Sequence, residues 1–450
     1  MTTIHPYPPL DPDGKGLGRL DGSCSLEQVP AMAWNLLAED ISLPVAVLYE
    51  TRVRHNLEWM QRFIRAYKVQ LAPHGKTTMS PALFKRQLDG GAWGITLATA
   101  PQVNAAYRHG VRRILMANQL VGRANMALIA DLLDDPDFTF YCIVDSAANA
   151  AALGAFFTER GQTLRSLIEL GVAGGRTGVR DDQQLDTLLA EIARWPGALA
   201  LSGIEIYEGV LQDEALIRAF LRRATGTLRR LQENGQLSTD GPALISGAGS
   251  AWYDVVAEEF SGLDIGRPLE IVLRPGCYLS HDVGIYRGAA TRINANNEVA
   301  RHMEPGLLPA LQVWAYVQSL PEPGRAIIGL GKRDAAFDAG LPTPALHYRP
   351  GQQNGQATGA AAATTTSAAT ASTAATKATA AKPANAPPAW KLTAMMDQHA
   401  FMQIDDGADI QVGDMIGFDI SHPCLTFDKW KQVLLVDDDY QVLEAVQTFF

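Results

Sequence analysis

The stretch Val69–Pro81, VQLAPHGKTTMSP, decides the fold reading. It opens on a short apolar run, Val69–Ala72, that reads as a buried strand, breaks at Pro73, and delivers His74, Gly75 and Lys76 ahead of a helix starting near Ser80-Pro81. A lysine at the carboxyl end of a strand and just before a helix sits where α/β barrels keep their reactive groups. Taken alone, such a lysine is more often a solvated loop side chain, so its meaning depends on the chain around it.

On both sides of this stretch a strand-then-helix rhythm runs. Short apolar runs at Trp93–Ala98, Ile114–Asn118, Phe138–Val144, Ser166–Val172, Ala200–Tyr207, Ala243–Ser246 and Leu269–Leu273 alternate with helical patterns such as Ala100–His109, Asp182–Arg194 and Glu214–Asn234. With the strand before Lys76 this makes eight strands of βα type, which predicts a closed parallel (β/α)8 TIM barrel. An open doubly wound sheet is the alternative, but no GxGxxG follows the first strand. Before the barrel lie an irregular Pro/Gly/Asp-rich arm, a helix over Leu26–Ala38 and a strand, Pro44–Tyr49, followed by an amphipathic helix, Arg52–Tyr67. After Leu279 the pattern changes to strands with few helices: Val283–Ile293, Val313–Leu320, Arg325–Ile328, Lys391–Asp397, Phe401–Ile404, Met415–Ile420 and Lys431–Val436. The expected organisation is an arm and helix over 1–42, the barrel over 43–279 and a C-terminal β domain over 280–450, with strand 44–49 also able to join that domain. An Ala/Thr-rich insertion, 351–388, lacks large aliphatic and aromatic side chains and reads as a disordered surface segment.

Composition bounds the function. A net charge of −10, from 38 basic and 48 acidic residues, argues against a nucleic-acid-binding surface. No apolar run reaches membrane-spanning length and the N-terminus lacks the apolar core of a signal peptide. Four scattered cysteines without a CxxC pair suit a reducing, cytoplasmic setting.

Four features fall at the ends of predicted strands. Lys76 is the first. The second is Ser246-Gly247-Ala248-Gly249-Ser250, after the seventh barrel strand, where small residues let backbone N–H groups and a helix amino end meet an anion. A tight turn that simply needs glycine is an equal alternative. The third is GGRTG at 174–178 with IYEG at 206–209, which put Arg176 and Tyr207 at strand ends, where they can hydrogen-bond a ring or carboxylate. The fourth is Ser421-His422-Pro423-Cys424, where an extended backbone would point His422 and Cys424 the same way. Imidazole plus thiolate selects zinc over magnesium or calcium, although a buried cysteine beside a hydrogen-bonded histidine is the plainer reading. His399 is a weak further candidate for the same place.

With these motifs in view, the chain resembles the fold-type III pyridoxal-phosphate enzymes, in particular the D-serine dehydratase and D-threonine aldolase family, whose fold is alanine racemase-like. PHGKT resembles the segment that carries the Schiff-base lysine, which implies Lys76 as catalytic and His74 beside the cofactor. GRTGV resembles the stretch supplying a cofactor-binding arginine, here Arg176, and IYEG places Tyr207 near the pyridine ring. SGAGS resembles the phosphate loop, which implies Gly247, Ala248, Gly249 and Ser250 as the cradle. RPGCYLSHD (274–282) and GLGKRDAAFDAGLP (329–342) resemble segments flanking the site. His422 and Cys424 resemble the zinc pair of D-serine dehydratases. The family usually carries arginine where this chain has Ala72. The resemblance implies a homodimeric, zinc-assisted D-serine dehydratase that removes water from a small-molecule D-amino acid. A metal-dependent D-threonine aldolase, an amino-acid racemase and a non-catalytic pyridoxal-phosphate carrier are the alternatives.

Overall fold

The structure is a computed structural model in which residues 5–351 and 382–450 are described. Its strands are β1 (Val45–Tyr49), β2 (Gln70–Leu71), β3 (Ile95–Leu97), β4 (Arg113–Gln119), β5 (Thr139–Val144), β6 (Leu164–Leu170), β7 (Leu199–Ile206), β8 (Ala243–Gly247) and β9 (Leu269–Leu273), then β10 (Leu311–Glu322), β11 (Arg325–Ile328), β12 (Thr343–Tyr348), β13 (Ala384–Asn385), β14 (Lys391–Met395), β15 (Ala400–Gln403), β16 (Met415–Asp419), β17 (Gln432–Val436) and β18 (Val442–Gln447).

Eight parallel strands form one sheet in the order β2-β9-β8-β7-β6-β5-β4-β3. Its two ends meet. His74 and Thr96 form a parallel bridge, the amides of Trp93 and Thr96 donate to the carbonyls of Leu71 and Pro73 at 2.7 and 2.9 Å, and Thr96 Oγ1 donates to the Ala72 carbonyl at 2.8 Å. The curled sheet is the expected alanine racemase-like (β/α) barrel. Strands buried on both faces explain the unbroken apolar runs in the sequence. β7, LALSGIEI, is buried at all eight positions. Leu115, Tyr141, Ile143, Leu167, Leu244 and Val272 make a small inner cluster, while the opposite faces pack against the surrounding helices.

The second sheet is the C-terminal β domain, and β1 is built into it. β1 pairs antiparallel with β10 and parallel with β17, so the strand that precedes the barrel in sequence sits inside the other domain. A buried hydrogen-bond chain pins this join: Trp314 Nε1 donates to Tyr49 Oη at 3.1 Å, Tyr49 to Gln312 Oε1 at 2.6 Å, and Gln312 Nε2 to Asp419 Oδ1 at 2.8 Å. The arm docks on the same sheet through Leu10, Leu17, Val29, Trp34, Leu36 and Ile41.

Three local expectations are corrected. Residues 283–293 are not a strand: Asp282 Oδ1 accepts the amides of Gly284 and Tyr286 at 2.9 and 3.0 Å, starting a turn that leads into the helix Arg287–Asn296. Leu26–Ala38 is not one helix. A 3-10 turn, Leu26–Met32, holds Pro30 and ends where Ala33 turns left-handed at φ 52°. Most of the Ala/Thr-rich insertion lies outside the described residues, but its C-terminal end pairs as β13 with β12, Ala384 opposite His347 and Asn385 opposite Leu346.

Asp414, immediately before β16, ties that sheet together. Its buried carboxylate accepts from His347 Nε2 at 2.7 Å and twice from Arg349 at 2.9 Å. Burial alone would raise its pKa, but the hydrogen bonds from His347 and Arg349 prevail and hold it down to about 2. A depressed carboxylate contributes stability above its unfolded value near ~4 and loses it as pH falls through the folded value. Asp414→Ala should therefore cost about 2–3 kcal/mol at neutral pH, since Arg349 remains partly solvated. The loss should shrink between pH 4 and about 2, which urea titrations at several pH values would measure.

Candidate active site

The carboxyl end of the barrel carries the site. Lys76 lies on a 3-10 turn, Gly75–Thr77, immediately after β2. Its side chain is solvent-facing. The turn fits only small residues at two places. A Cβ on Gly75 would come within 2.8 Å of the Phe84 ring, and one on Gly276 within 2.6 Å of the His74 carbonyl. His74 turns inward, and its buried Nδ1 has no hydrogen-bond partner among the described residues. Burial, then the nearby charges of Lys76, Arg274 and Arg176, push its pKa well below the usual imidazole range, so the ring is neutral.

Arg176 and Tyr207, expected at two strand ends, meet: the guanidinium lies over the phenol ring, 4.9 Å from its centroid. The Arg176 loop is braced by Arg180, which donates to the carbonyls of Thr177, Gly178 and Gly175, and by Arg223 on the carbonyl of Gly171. Below them Arg274, 4% exposed, pairs with Glu205, 2% exposed, and donates to the Ile206 carbonyl at 2.8 Å. Arg274 Nε and Glu205 Oε2 are buried without partners among the described residues. Burial pushes the Glu205 carboxyl up to about 7 despite Arg274.

The glycine loop holds a surprise. Glu208, fully buried, accepts the amides of Ala248 at 3.1 Å and Gly249 at 2.7 Å. Two of the donors assigned to a phosphate in the sequence reading therefore already face a carboxylate. Ala248 takes a left-handed φ of 78°, costly for a residue with a Cβ, and the Glu208 bonds hold it there. Ser250 Oγ accepts the Cys277 amide at 3.2 Å. Gly247 ends β8, and its carbonyl oxygen accepts the Arg274 amide at 3.1 Å.

His422 and Cys424 come from the β domain but reach the barrel mouth of their own chain. The expected extended strand is absent there. β16 ends at Asp419, His422 caps a short helix, Pro423–Phe427, and Pro423 at the first helical position sets that turn. Both side chains still share one place. Cys424 Sγ is 3.5 Å from Thr77 Oγ1 and 3.7 Å from Cys277 Sγ. His422 Nδ1 is 2.7 Å from Asp338 Oδ2. The hydrogen bond with Cys424, then Asp338, raise His422 to about 9, and the partnership with Cys277, then His422, lowers the Cys424 thiol. His399 sits exposed in a turn between β14 and β15, apart from this group. Among the described residues no set of three or more His, Cys, Asp and Glu stands as a ready metal cluster. Chemically, sulfur plus a carboxylate-braced imidazole suits a borderline-soft metal.

Sequence reasoning missed Glu208, Glu205, Cys277, Asp282 and Asp338 as individuals. Cys277 and Asp282 lie in RPGCYLSHD and Asp338 in GLGKRDAAFDAGLP, so the segments were visible and the roles were not.

A model of the alanine racemase N-terminal domain matches residues 50–268, and one described as "Putative serine dehydratase domain" matches residues 310–436. The chain belongs to the fold-type III pyridoxal-phosphate enzymes with the alanine racemase-like fold. A D-threonine aldolase from Arthrobacter sp. is 26% identical over 332 residues, 72% of this chain and 79% of that protein. The D-threo-3-hydroxyaspartate dehydratase of Delftia sp. is 34% identical over 173 residues, 38% of this chain and 44% of its own length. Both relatives are named as lyases. The solved D-threonine aldolase of Filomicrobium marinum shares the fold, with a TM-score of 0.69 at 21% identity over 92% of this chain and 97% of that one. A cysteine-to-alanine variant of a D-threo-3-hydroxyaspartate dehydratase has a TM-score of 0.66 at 21% identity, covers 92% of this chain and 99% of its own, and is described as being in the metal-free form.

Glu208→Ala strands the buried Ala248 amide and the half-buried Gly249 amide and should lower stability by about 2 kcal/mol. Glu208→Gln keeps an acceptor and should cost less than half of that in the same urea titration.

Proposed function

We propose that the chain is a metal-assisted, pyridoxal-phosphate-dependent lyase of D-β-hydroxy amino acids, acting as a D-serine dehydratase. The observation that carries this reading is the seating of Cys424, two residues after His422, against Thr77, the residue after Lys76. A cofactor-bearing lysine and a metal pair thus serve one small volume. The buried, unpartnered atoms His74 Nδ1, Arg274 Nε and Glu205 Oε2 beside it fit a polar ligand that completes them.

In this reading Lys76 holds the cofactor, Tyr207 and Arg176 border its ring, and neutral His74 packs beside it without adding charge. Glu208 shapes the glycine loop, leaving Gly247, Ser250 and the amino end of the helix Tyr253–Phe260 to the phosphate, with Ala248 and Gly249 shared. The cofactor supplies electron withdrawal that acidifies the substrate Cα–H. Lys76 Nζ takes that proton, and its placement on one side of the site selects one enantiomer. His422, oriented by Asp338 on Nδ1, and Cys424 are the residues that would hold zinc, which when bound would supply Lewis acidity for loss of the hydroxyl. D-Serine would lose water and, after hydrolysis, yield pyruvate and ammonia. Four free cysteines agree with a cytoplasmic setting, and a homodimer follows from the fold by analogy.

The Arthrobacter likeness over 72% of the chain favours one second reading, a D-threonine aldolase. Purified protein should show an absorbance from the lysine-linked cofactor that Lys76→Ala abolishes. D-Serine, but not L-serine, should yield pyruvate, and a chelator should remove the activity while leaving that absorbance. Glycine and acetaldehyde from D-threonine, with no pyruvate from D-serine, would move the assignment to aldolase. Oxaloacetate from D-threo-3-hydroxyaspartate in preference to pyruvate would keep the elimination and change the substrate.

A further inference from the structure

We infer that the N-terminal arm braces the site through Lys15, a positioning residue that sets the Asp338–His422 hydrogen bond. The inference rests on the reading of His422 as a working side chain of the site. The segment responsible is Gly14-Lys15-Gly16-Leu17-Gly18, which lacks the spacing of a phosphate loop. It docks on the β domain instead. Gly16 takes a left-handed φ of 73°, and a Cβ there would come within 2.9 Å of the Trp430 ring. Gln432 Nε2 donates to the Lys15 carbonyl at 2.9 Å. Lys15 Nζ lies 3.9 Å from the Trp430 ring centroid and donates to Asp334 Oδ1 at 2.9 Å and to the Arg333 carbonyl at 2.7 Å.

Asp334 is buried, and its Oδ2 accepts the Gly331 amide at 2.9 Å. Among the described residues Lys15 is the one cation paired with it. A buried carboxylate that loses its cation keeps its desolvation cost and has to turn toward water. The backbone that would move with it leads straight to the site. Trp430, under Lys15, donates Nε1 to the Asp334 carbonyl at 2.8 Å. Two residues further on, the Ala336 amide donates to Thr426 Oγ1 at 3.1 Å, and that hydroxyl donates to the His422 carbonyl at 2.9 Å. Four residues further on, Asp338 Oδ2 stands 2.7 Å from His422 Nδ1. The Asp338 side chain is 42% exposed, so its place beside His422 is set by the loop that carries it and not by packing around it.

The test compares Lys15→Met, which keeps an apolar stem over Trp430 and removes the charge, with Lys15→Arg and Asp338→Ala in the full-length, cofactor-loaded protein. The proton NMR signal of the His422 ring Nδ1–H, assigned with His422→Asn, reads the hydrogen bond directly. The wild type should show it in slow exchange with water, and Asp338→Ala should lose it. Lys15→Met should lose it as well, with the amides of 331–338 exchanging about tenfold faster while those of β7 keep their wild-type rates. Lys15→Arg should restore both. A wild-type-like His422 signal in Lys15→Met would overturn the brace, and so would a loss accompanied by faster exchange in β7, which marks general destabilisation. Zinc retention against a chelator, measured on the same samples, separates this from the metal reading. A wild type that holds no zinc, yet shows a His422 signal that Lys15→Met removes, overturns the metal role and supports the brace.

Discussion

The turn Gly75–Thr77 is held from two sides, and the site depends on that clamp. From the barrel, Gly276 lies against the His74 carbonyl and Thr77, and Phe84 and Ile95 close over Gly75. From the β domain, Cys424 reaches Thr77 and the Phe449 amide donates to the Met79 carbonyl at 2.8 Å. Neither domain alone fixes where Lys76 stands. β1 makes the clamp possible. By leaving the barrel region for the second sheet, between β10 and β17, it welds the two domains before the chain enters the barrel. A site of this kind gains precision from being built on packed elements and not on free loops.

Burial sets the electrostatics. His74, Arg274 and Glu205 sit where solvation is poor, so each is governed by its neighbours. His74 is neutral because burial and three cations agree in sign. Glu205 is a contest, with burial pushing its carboxyl up against the pull of Arg274. A buried ion pair of this type is weak evidence for stability, because desolvation takes back most of what the attraction gives. Its unpartnered atoms, Arg274 Nε and Glu205 Oε2, make better sense as capacity kept for a ligand.

The barrel was legible because each of its strands is buried on both faces and reads as a short apolar run between helical stripes. All eight runs are strands. Lys76, Arg176 and Tyr207 were legible for a related reason: a parallel barrel sends every strand end to one rim, so residues distant in sequence must meet there. The contact of Arg176 with Tyr207 needed no more than that. What could not be read was set by tertiary contacts. The turn at 283–293 is made by the Asp282 carboxylate on two amides, and an apolar spacing count cannot see a side chain capping a backbone. The expected strand at His422 failed for the same reason, since Pro423 starts a helix that Thr426 Oγ1 secures on the His422 carbonyl at 2.9 Å.

The glycine loop carries the last step. SGAGS reads from the sequence as an anion cradle, with its backbone amides as the only feature. In the folded chain Glu208, from the loop after β7, puts a carboxylate on two of those amides. The left-handed backbone at Ala248 also explains why a residue with a Cβ is tolerated: the two amide bonds to Glu208 offset a cost of roughly 1–2 kcal/mol. The loop thus has its own counter-charge before any ligand arrives. Its negative end lies under the loop and its remaining donors lie near Ser250, beside the Cys277 amide. Cys277 is consequently the residue where the two halves of the site touch. Its amide is fixed by Ser250 of the glycine loop and its sulfur lies against Cys424 of the β domain, so the glycine loop and the His422–Cys424 segment are coupled through one residue.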